Sequence, residues 1–166
     1  VIPGPGPSAT ASCAETTPSA LQQCLESISV ASGSCYFDGD QACENDHPDF
    51  LGAMSQLETD VANSCTDGEF LGLSTAATTA RLQTACQYHA DALTWRTFGG
   101  PQGAVWPNAD ESDRDCLQAA HQQGIQFAQD SLGVINSCLE QGDCTQVESE
   151  REALLNAAAA QIIAAC

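Results

Sequence analysis

The sequence contains no lysine, and this absence limits the partners that the protein can bind. Only four arginines oppose 22 acidic residues, which gives a formal net charge of −18. Recognition of nucleic-acid phosphates needs a cationic surface, so we expect no nucleic-acid partner. Isopeptide cross-links through lysine side chains are excluded. The acidic residues are scattered along the chain, which is typical of a solvated surface, and a saline habitat is the alternative explanation.

Long apolar segments and strand patterns are also missing. No stretch is long enough to cross a membrane, so we expect no membrane insertion. No signal peptide is evident, and we expect a processed product. No segment shows the alternation of a half-buried strand, which favours an all-helical fold. Aromatic residues make up only 5% of the chain, so its helices bury little apolar area per residue. Disulfides would offset the resulting shortage of stabilisation.

Recognised catalytic patterns are absent as well. The chain has no Gly-x-Ser-x-Gly motif for a nucleophilic serine. Its histidines show no His-x-x-x-His pair of the kind that a zinc site on a helix uses, and we expect them to be surface or partly buried helix residues. These histidines are His47, His89 and His121. We therefore predict no enzymatic activity and no cofactor, with a two-carboxylate hydrolase as the remaining enzymatic alternative.

Ten cysteines are the most informative feature that the sequence does contain. Their even number, and the lack of the close Cys-x-x-Cys pairs of zinc sites, favour five disulfides in an oxidising compartment. In the C-terminal part, gaps of 21, 5 and 21 residues separate Cys116, Cys138, Cys144 and Cys166. This symmetry predicts two equal antiparallel helices joined by a tight turn.

The helical geometry of this C-terminal part also predicts its disulfides. Positions 22 apart on an α-helix differ by about 40° after whole turns, so each helix carries its two cysteines on nearly the same face. In an antiparallel hairpin, Cys138 then meets Cys144 beside the turn. Cys116 meets Cys166 at the open end.

The connectivity of the other six cysteines stays open, because six cysteines allow fifteen pairings. One possibility is that Cys35 and Cys43 close the short loop between them. The other is that Cys43 pairs with Cys86 across a second hairpin, Cys65 pairs with Cys13, and Cys24 is left for Cys35. The six are Cys13, Cys24, Cys35, Cys43, Cys65 and Cys86.

The pattern of breakers and helical periodicity divides the chain into four segments. We predict an extended Pro/Gly arm over 1–12, three helices within 13–94, a connecting loop rich in Gly, Pro and Trp over 95–110, and a helical hairpin over 111–166. The predicted fold class is all-α, a disulfide-stapled helical bundle of about five helices that ends in a C-terminal helical hairpin.

Capping signals set the expected helix boundaries. We expect the first helix to end at Gly33. The expected helix starts are Thr17, Asp46, Thr66, Ser112 and Thr145. The expected apolar residues of the last helix are Val147, Leu154, Leu155, Ala158 and Ile162.

Three groups of residues are candidates for binding. Val1, Ile2 and Pro3 begin the arm, which we expect to dock on a neighbouring molecule. Trp95, Phe98 and Trp106 are a candidate binding surface, because aromatic residues flanked by glycine and proline often contact sugars or proteins. The alternative is that these three side chains pack the two halves of the chain together. We expect a solvated acidic loop at Asp38, Asp40, Glu44 and Asp46. A weak calcium site is the alternative, because carboxylates cluster there, although the EF-hand spacing is missing.

The C-terminal part also resembles a known kind of domain. The stretch DCLQAAHQQGIQFAQDSLGVINSCLEQGDC, followed by an alanine-rich helix ending in cysteine, is similar to a cysteine-rich helical domain of predicted secreted proteins of deltaproteobacteria, including myxobacteria. The upstream DALTWRTFGG resembles the segment that precedes the hairpin in those proteins. The resemblance covers about residues 49–166 and implies a helical, exported protein without a known activity.

These observations lead to one expected function and one alternative. We expect an extracellular or cell-surface structural protein that assembles with itself, as a subunit of a filament or surface layer. The alternative is a secreted binding module for a small ligand, a glycan or a metal ion.

Overall fold

Five α-helices form the protein in the computed structural model, which describes residues 9–40, 42–100 and 105–166. A short 3-10 helix, Trp106–Asn108, precedes the fourth α-helix, and no strand occurs within these ranges. The predicted all-α bundle with a C-terminal hairpin is confirmed. The helices are α1 (Ala9–Gly39), α2 (Pro48–Ser64), α3 (Thr75–Phe98), α4 (Glu111–Gln141) and α5 (Val147–Ala165).

Helix α1 is the centre of the bundle, because it packs against α2, α3 and α4, whereas α5 packs along α4. The main core lies between α1, α2 and α3, where Ile28, Leu57 and Val61 are almost fully buried. Removing such side chains from water is the main stabilising contribution of the core. None of the described helices is long and apolar enough to span a bilayer.

The first helix begins eight residues before the predicted start at Thr17. Inside this helix, the buried Thr17 hydroxyl donates to the main-chain carbonyl of Cys13 across 3.0 Å. A threonine can make this bond one turn back in a helix, so it need not be an N-cap. The last four residues of the predicted arm are therefore helical. The predicted contact residues Val1, Ile2 and Pro3 lie outside the described residues.

Gly33, the predicted end of the first helix, lies inside α1. A Cβ atom at this position would lie 2.7 Å from Cδ2 of His121, so the glycine allows α4 to approach α1 closely. The helix continues to Gly39 and includes most of the segment that we predicted to be a loop between Cys35 and Cys43.

One of the two hydrogen bonds of the predicted capping box at Thr66 forms, but it does not start a helix. The Thr66 N–H donates to the Glu69 carboxylate across 2.6 Å. The chain then turns, because Leu71 and Gly72 have φ angles of 53° and 73° in the left-handed region. Helix α3 starts only after Ser74, whose side chain accepts from the Ala77 N–H.

The other helix starts lie within two residues of the predicted ones. Helix α2 follows His47, whose Nδ1 accepts from the Asp49 N–H across 3.4 Å. Helix α4 follows Asp110, and α5 begins at Val147. In the turn before α5, Thr145 donates two hydrogen bonds to the Asp143 carboxylate and therefore does not cap the helix.

All ten cysteines are paired, and four of the five disulfides were among the pairs that the sequence suggested. Cys13–Cys65, Cys116–Cys166 and Cys138–Cys144 are confirmed. The structure also contains Cys35–Cys43, which was one of the two possibilities, and Cys24–Cys86, which was not suggested. The alternative pairs Cys43–Cys86 and Cys24–Cys35 are therefore wrong. The physical reason is the late start of α3, which places Cys86 in the middle of that helix, opposite Cys24 of α1.

Candidate functional site

The predicted aromatic binding surface is largely buried. Phe98 is 0% exposed and Trp106 is 4% exposed, whereas Trp95 remains 42% exposed. The Phe98 ring stacks on Tyr36 with the ring centres 4.5 Å apart and meets Trp106 edge-on at 5.7 Å. Phe98 and Trp106 therefore join the two halves of the chain, as the alternative interpretation stated, and the prediction of a shared exposed surface is wrong for them.

Asp40 belongs to this aromatic cluster and not to a calcium site. Its carboxylate accepts a hydrogen bond from Nε1 of Trp106 across 2.9 Å and lies 3.3 Å from a guanidinium nitrogen of Arg114. The Arg114 guanidinium in turn lies 5.1 Å from the centre of the Trp106 ring. Asp40 has a left-handed φ of 56°, which aspartate tolerates better than most residues. These contacts assign Asp40 a structural role at the end of α1.

His121 is a buried titratable residue at the junction of α1 and α4, and its hydrogen-bond partner is a main-chain carbonyl. It is 1% exposed, and its Nε2 donates to the carbonyl of Ser29 across 2.8 Å. Burial lowers the pKa of His121 more than this hydrogen bond raises it. The imidazole is therefore neutral at pH 7, with its proton on Nε2. The expectation of a surface or partly buried histidine is wrong here.

An open pocket of ≈ 680 Å³ lies where α1 ends and α2 begins. Three of the four calcium candidates, Asp38, Glu44 and Asp46, line it. Over the described ranges, however, no group of three or more carboxylates places its oxygens close together. Calcium needs six to eight oxygen ligands, so this arrangement does not provide a calcium site by itself.

A different set of possible ligand atoms does come together in this pocket. The sulfurs of Cys35 and Cys43 and a ring nitrogen of His47 all lie within 4.8 Å of one another. Cys35 is on the last turns of α1, Cys43 is in the loop, and His47 is the N-cap of α2. All three residues are partly exposed.

Sequence reasoning missed this group because it assigned the two cysteines a structural role alone and considered the histidines only as pairs. A signal was present, since His47 follows Cys43 by four positions, a spacing within the range found between zinc ligands. Cys35 could not be added from sequence, because its direction depends on how α1 ends.

The last helix presents a second unusual surface. Helix α5 has no buried residue. Its predicted apolar face is half-buried against α4, except for Leu155, which is 54% exposed. Ile163 is 76% exposed. No charged side chain occurs between Glu152 and the end of the helix.

Comparisons with protein-family models, with curated proteins and with solved structures find no match to this chain.

Proposed function

We propose that the protein is an exported structural subunit that assembles with itself, and that α5 forms one of the contact surfaces. The observation that carries this proposal is the exposure of two large apolar side chains on α5, Leu155 and Ile163. The disulfides support export, because five of them and no free cysteine fit an oxidising compartment.

Charge supports a second copy of the chain as the occupant of this surface. At a net charge of −18, two copies repel each other over most approaches. The uncharged residues 153–165 of α5 form a stretch along which two copies can come close without placing like charges in contact. A partner with a strongly basic surface would be expected to bind elsewhere on the molecule.

The size of the surface limits its strength. Burial of apolar area contributes about 25 cal/mol per Å², so two leucine-sized side chains give a weak contact. Assembly through α5 therefore needs high protein concentration, screening by salt, or additional contacts. The part of the predicted arm that precedes α1, residues 1–8, is the sequence-based candidate for such an additional contact.

Sedimentation velocity over a range of protein and salt concentrations tests the proposal. We expect the wild-type protein to associate as both increase, and Leu155→Gln/Ile163→Gln to stay monomeric. Leu51→Gln is the matched control, because Leu51 is 57% exposed and lies on α2, which packs mainly against α1 and α3. It should associate like the wild type. A wild-type protein that remains monomeric at high concentration and high salt would refute self-assembly.

Negative-stain microscopy of concentrated protein then distinguishes open polymers from closed oligomers. Head-to-tail contacts give filaments or rings, whereas a two-fold contact through α5 alone stops at a dimer. Filaments that disappear after deletion of Val1–Pro7, in a variant that keeps its helicity, would assign the second contact to the arm.

A further inference from the structure

Cys35, Cys43 and His47 have the donor types and the spacing of a zinc site in which the two sulfurs are now bonded to each other. Zinc binds thiolate sulfur at about 2.3 Å and imidazole nitrogen at about 2.0–2.1 Å in a tetrahedron, which separates neighbouring ligand atoms by roughly 3.5–3.8 Å. The three atoms already lie within 4.8 Å of one another. Once the S–S bond is broken, small side-chain rotations suffice to enclose a metal ion.

The group is local and accessible. Its three residues lie within a segment of thirteen, and the disulfide closes a sequence separation of only 8. Breaking this bond leaves α1 and α2 joined through Cys13–Cys65 and the core. Cys35 and Cys43 are partly exposed, whereas the cysteines of the two other disulfides in this half are at most 6% exposed. A reductant therefore reaches this pair first among the three.

The surroundings favour a cation. Asp38, Glu44 and Asp46 line the same pocket, so a metal ion entering it approaches a negative surface. A water molecule is available as the fourth ligand of a tetrahedral ion, because no carboxylate oxygen of the described residues joins the two sulfurs and the ring nitrogen within 4.8 Å. Glu44 precedes His47 by three positions, and the His47 N–H donates to the Glu44 carbonyl across 3.0 Å, which holds the two residues in one turn.

We propose that Cys35, Cys43 and His47 form a redox-gated site for a borderline-soft divalent cation such as Zn²⁺. In the oxidised protein the disulfide offers no thiolate. A dithiol reductant supplies two electrons and two protons, the S–S bond breaks to give two thiols, and the dithiol itself becomes a disulfide. Zn²⁺ then replaces the two thiol protons, which pass to solvent. Metal and disulfide therefore exclude each other. This proposal does not depend on self-assembly.

Spectroscopy of the full-length protein with Co²⁺ as the probe tests the site. The protein is reduced mildly with a water-soluble phosphine, and mapping of alkylated peptides identifies which cysteines have become thiols. After Cys35 and Cys43 are reduced, we expect one Co²⁺ per chain with thiolate-to-cobalt charge-transfer absorption, displaced by one equivalent of Zn²⁺. The oxidised protein should show none of this absorption.

Three variants define the ligands. His47→Asn should weaken Co²⁺ binding by at least about tenfold, since even loss of an outer-shell partner has an effect of this size. Asparagine is a good N-cap, so this variant should keep α2 intact. Cys35→Ser/Cys43→Ser should abolish binding. Cys138→Ser/Cys144→Ser is the matched control, because it removes another short disulfide whose sulfurs belong to no group of possible metal ligands among the described residues. This variant should bind Co²⁺ like the wild type.

A second measurement uses only the wild-type protein, so its result does not depend on whether a variant folds. In the reduced wild-type protein, Zn²⁺ should slow alkylation of Cys35 and Cys43 and leave the alkylation rates of other reduced cysteines unchanged. The proposal is overturned if the reduced wild type binds no Co²⁺, if Zn²⁺ gives no protection, or if binding survives in Cys35→Ser/Cys43→Ser or is unchanged in His47→Asn.

Discussion

His121 of α4 and Ser29 of α1 are joined by a hydrogen bond of 2.8 Å that is closed to solvent. The carbonyl of Ser29 can only accept, so the Nε2 atom of His121 carries the proton. The other ring nitrogen, Nδ1, is buried and has no partner among the described atoms. Protonation of Nδ1 would therefore place a charge in an apolar environment, which makes this junction sensitive to acid.

The first prediction is that acid weakens the fold through His121. Burial lowers the pKa of His121 in the folded protein, whereas in the unfolded chain it titrates near the ordinary value of 6.5. Below pH 6.5 the unfolded state therefore binds a proton that the folded state does not, and the free energy of unfolding falls as the pH decreases toward the lowered folded pKa. Above pH 6.5 this contribution is fully present.

Urea unfolding between about pH 7.5 and pH 5.5 measures this effect, because most carboxylates stay ionised there. His121→Gln keeps a donor for Ser29 and should lose stability at neutral pH but show a flatter pH dependence than the wild type. His89→Gln is the control, since His89 is exposed. Equal pH dependence in His121→Gln and the wild type would contradict the prediction.

The second prediction concerns the glycine that faces His121. In an open helix position, Gly→Ala stabilises by roughly 0.5–1 kcal/mol. At Gly33 the added methyl group would lie 2.8 Å from Nε2 of the buried His121, so we expect a net loss of about 1–3 kcal/mol from overpacking. Gly52, inside α2, has no atom within 4 Å of an added Cβ, so Gly52→Ala should stabilise the protein. Thermal and urea unfolding of both variants check the opposite signs.

The C-terminal hairpin could be predicted from sequence because its cysteines report on two helices that contact each other directly. The spacing between Cys116 and Cys138 equals that between Cys144 and Cys166, so the pairing depends only on helix geometry and one turn. The pairing of Cys24 with Cys86 depends instead on how α1 packs against α3 and on where α3 starts. The capping box at Thr66 gave the wrong start, because a local hydrogen bond forms there without a following helix.

The candidate sites were harder to predict than the fold, because they depend on direction as well as position. Phe98 and Trp106 lie near breakers in the sequence, yet both turn inward toward Tyr36. Leu155 fits the apolar periodicity of α5, but it lies on the flank of the stripe that contacts α4. Sequence periodicity gives the position of a side chain around a helix to within a face, which is too coarse to separate a half-buried flank from an exposed one.

The third prediction ranks two disulfides by the chain length that they span. In the chain-entropy model, a cross-link stabilises more when it closes a longer loop. Cys24–Cys86 spans 62 positions and Cys138–Cys144 spans 6. We expect Cys24→Ala/Cys86→Ala to lose about 4 kcal/mol and Cys138→Ser/Cys144→Ser about 2 kcal/mol. Denaturant unfolding of the two oxidised variants measures both losses, and equal or reversed losses would contradict the ranking.

The final prediction is that salt stabilises the folded protein. Arg114 with Asp40 is the one ion pair in the described part of the chain that does not require a protonated histidine, so salt has few attractions to screen and many repulsions. The Debye length falls from about 30 Å at 0.01 M to about 3 Å at 1 M ionic strength, and the Tm should rise over this interval. A gain of about 1 kcal/mol corresponds to roughly 2–4 °C for a chain of this size.

The matched control is the same salt series near the sequence pI of ≈ 4.1, where the net charge is close to zero and the rise in Tm should vanish. A Tm that is flat with salt at pH 7, or that rises equally at both pH values, would show that self-repulsion does not limit stability.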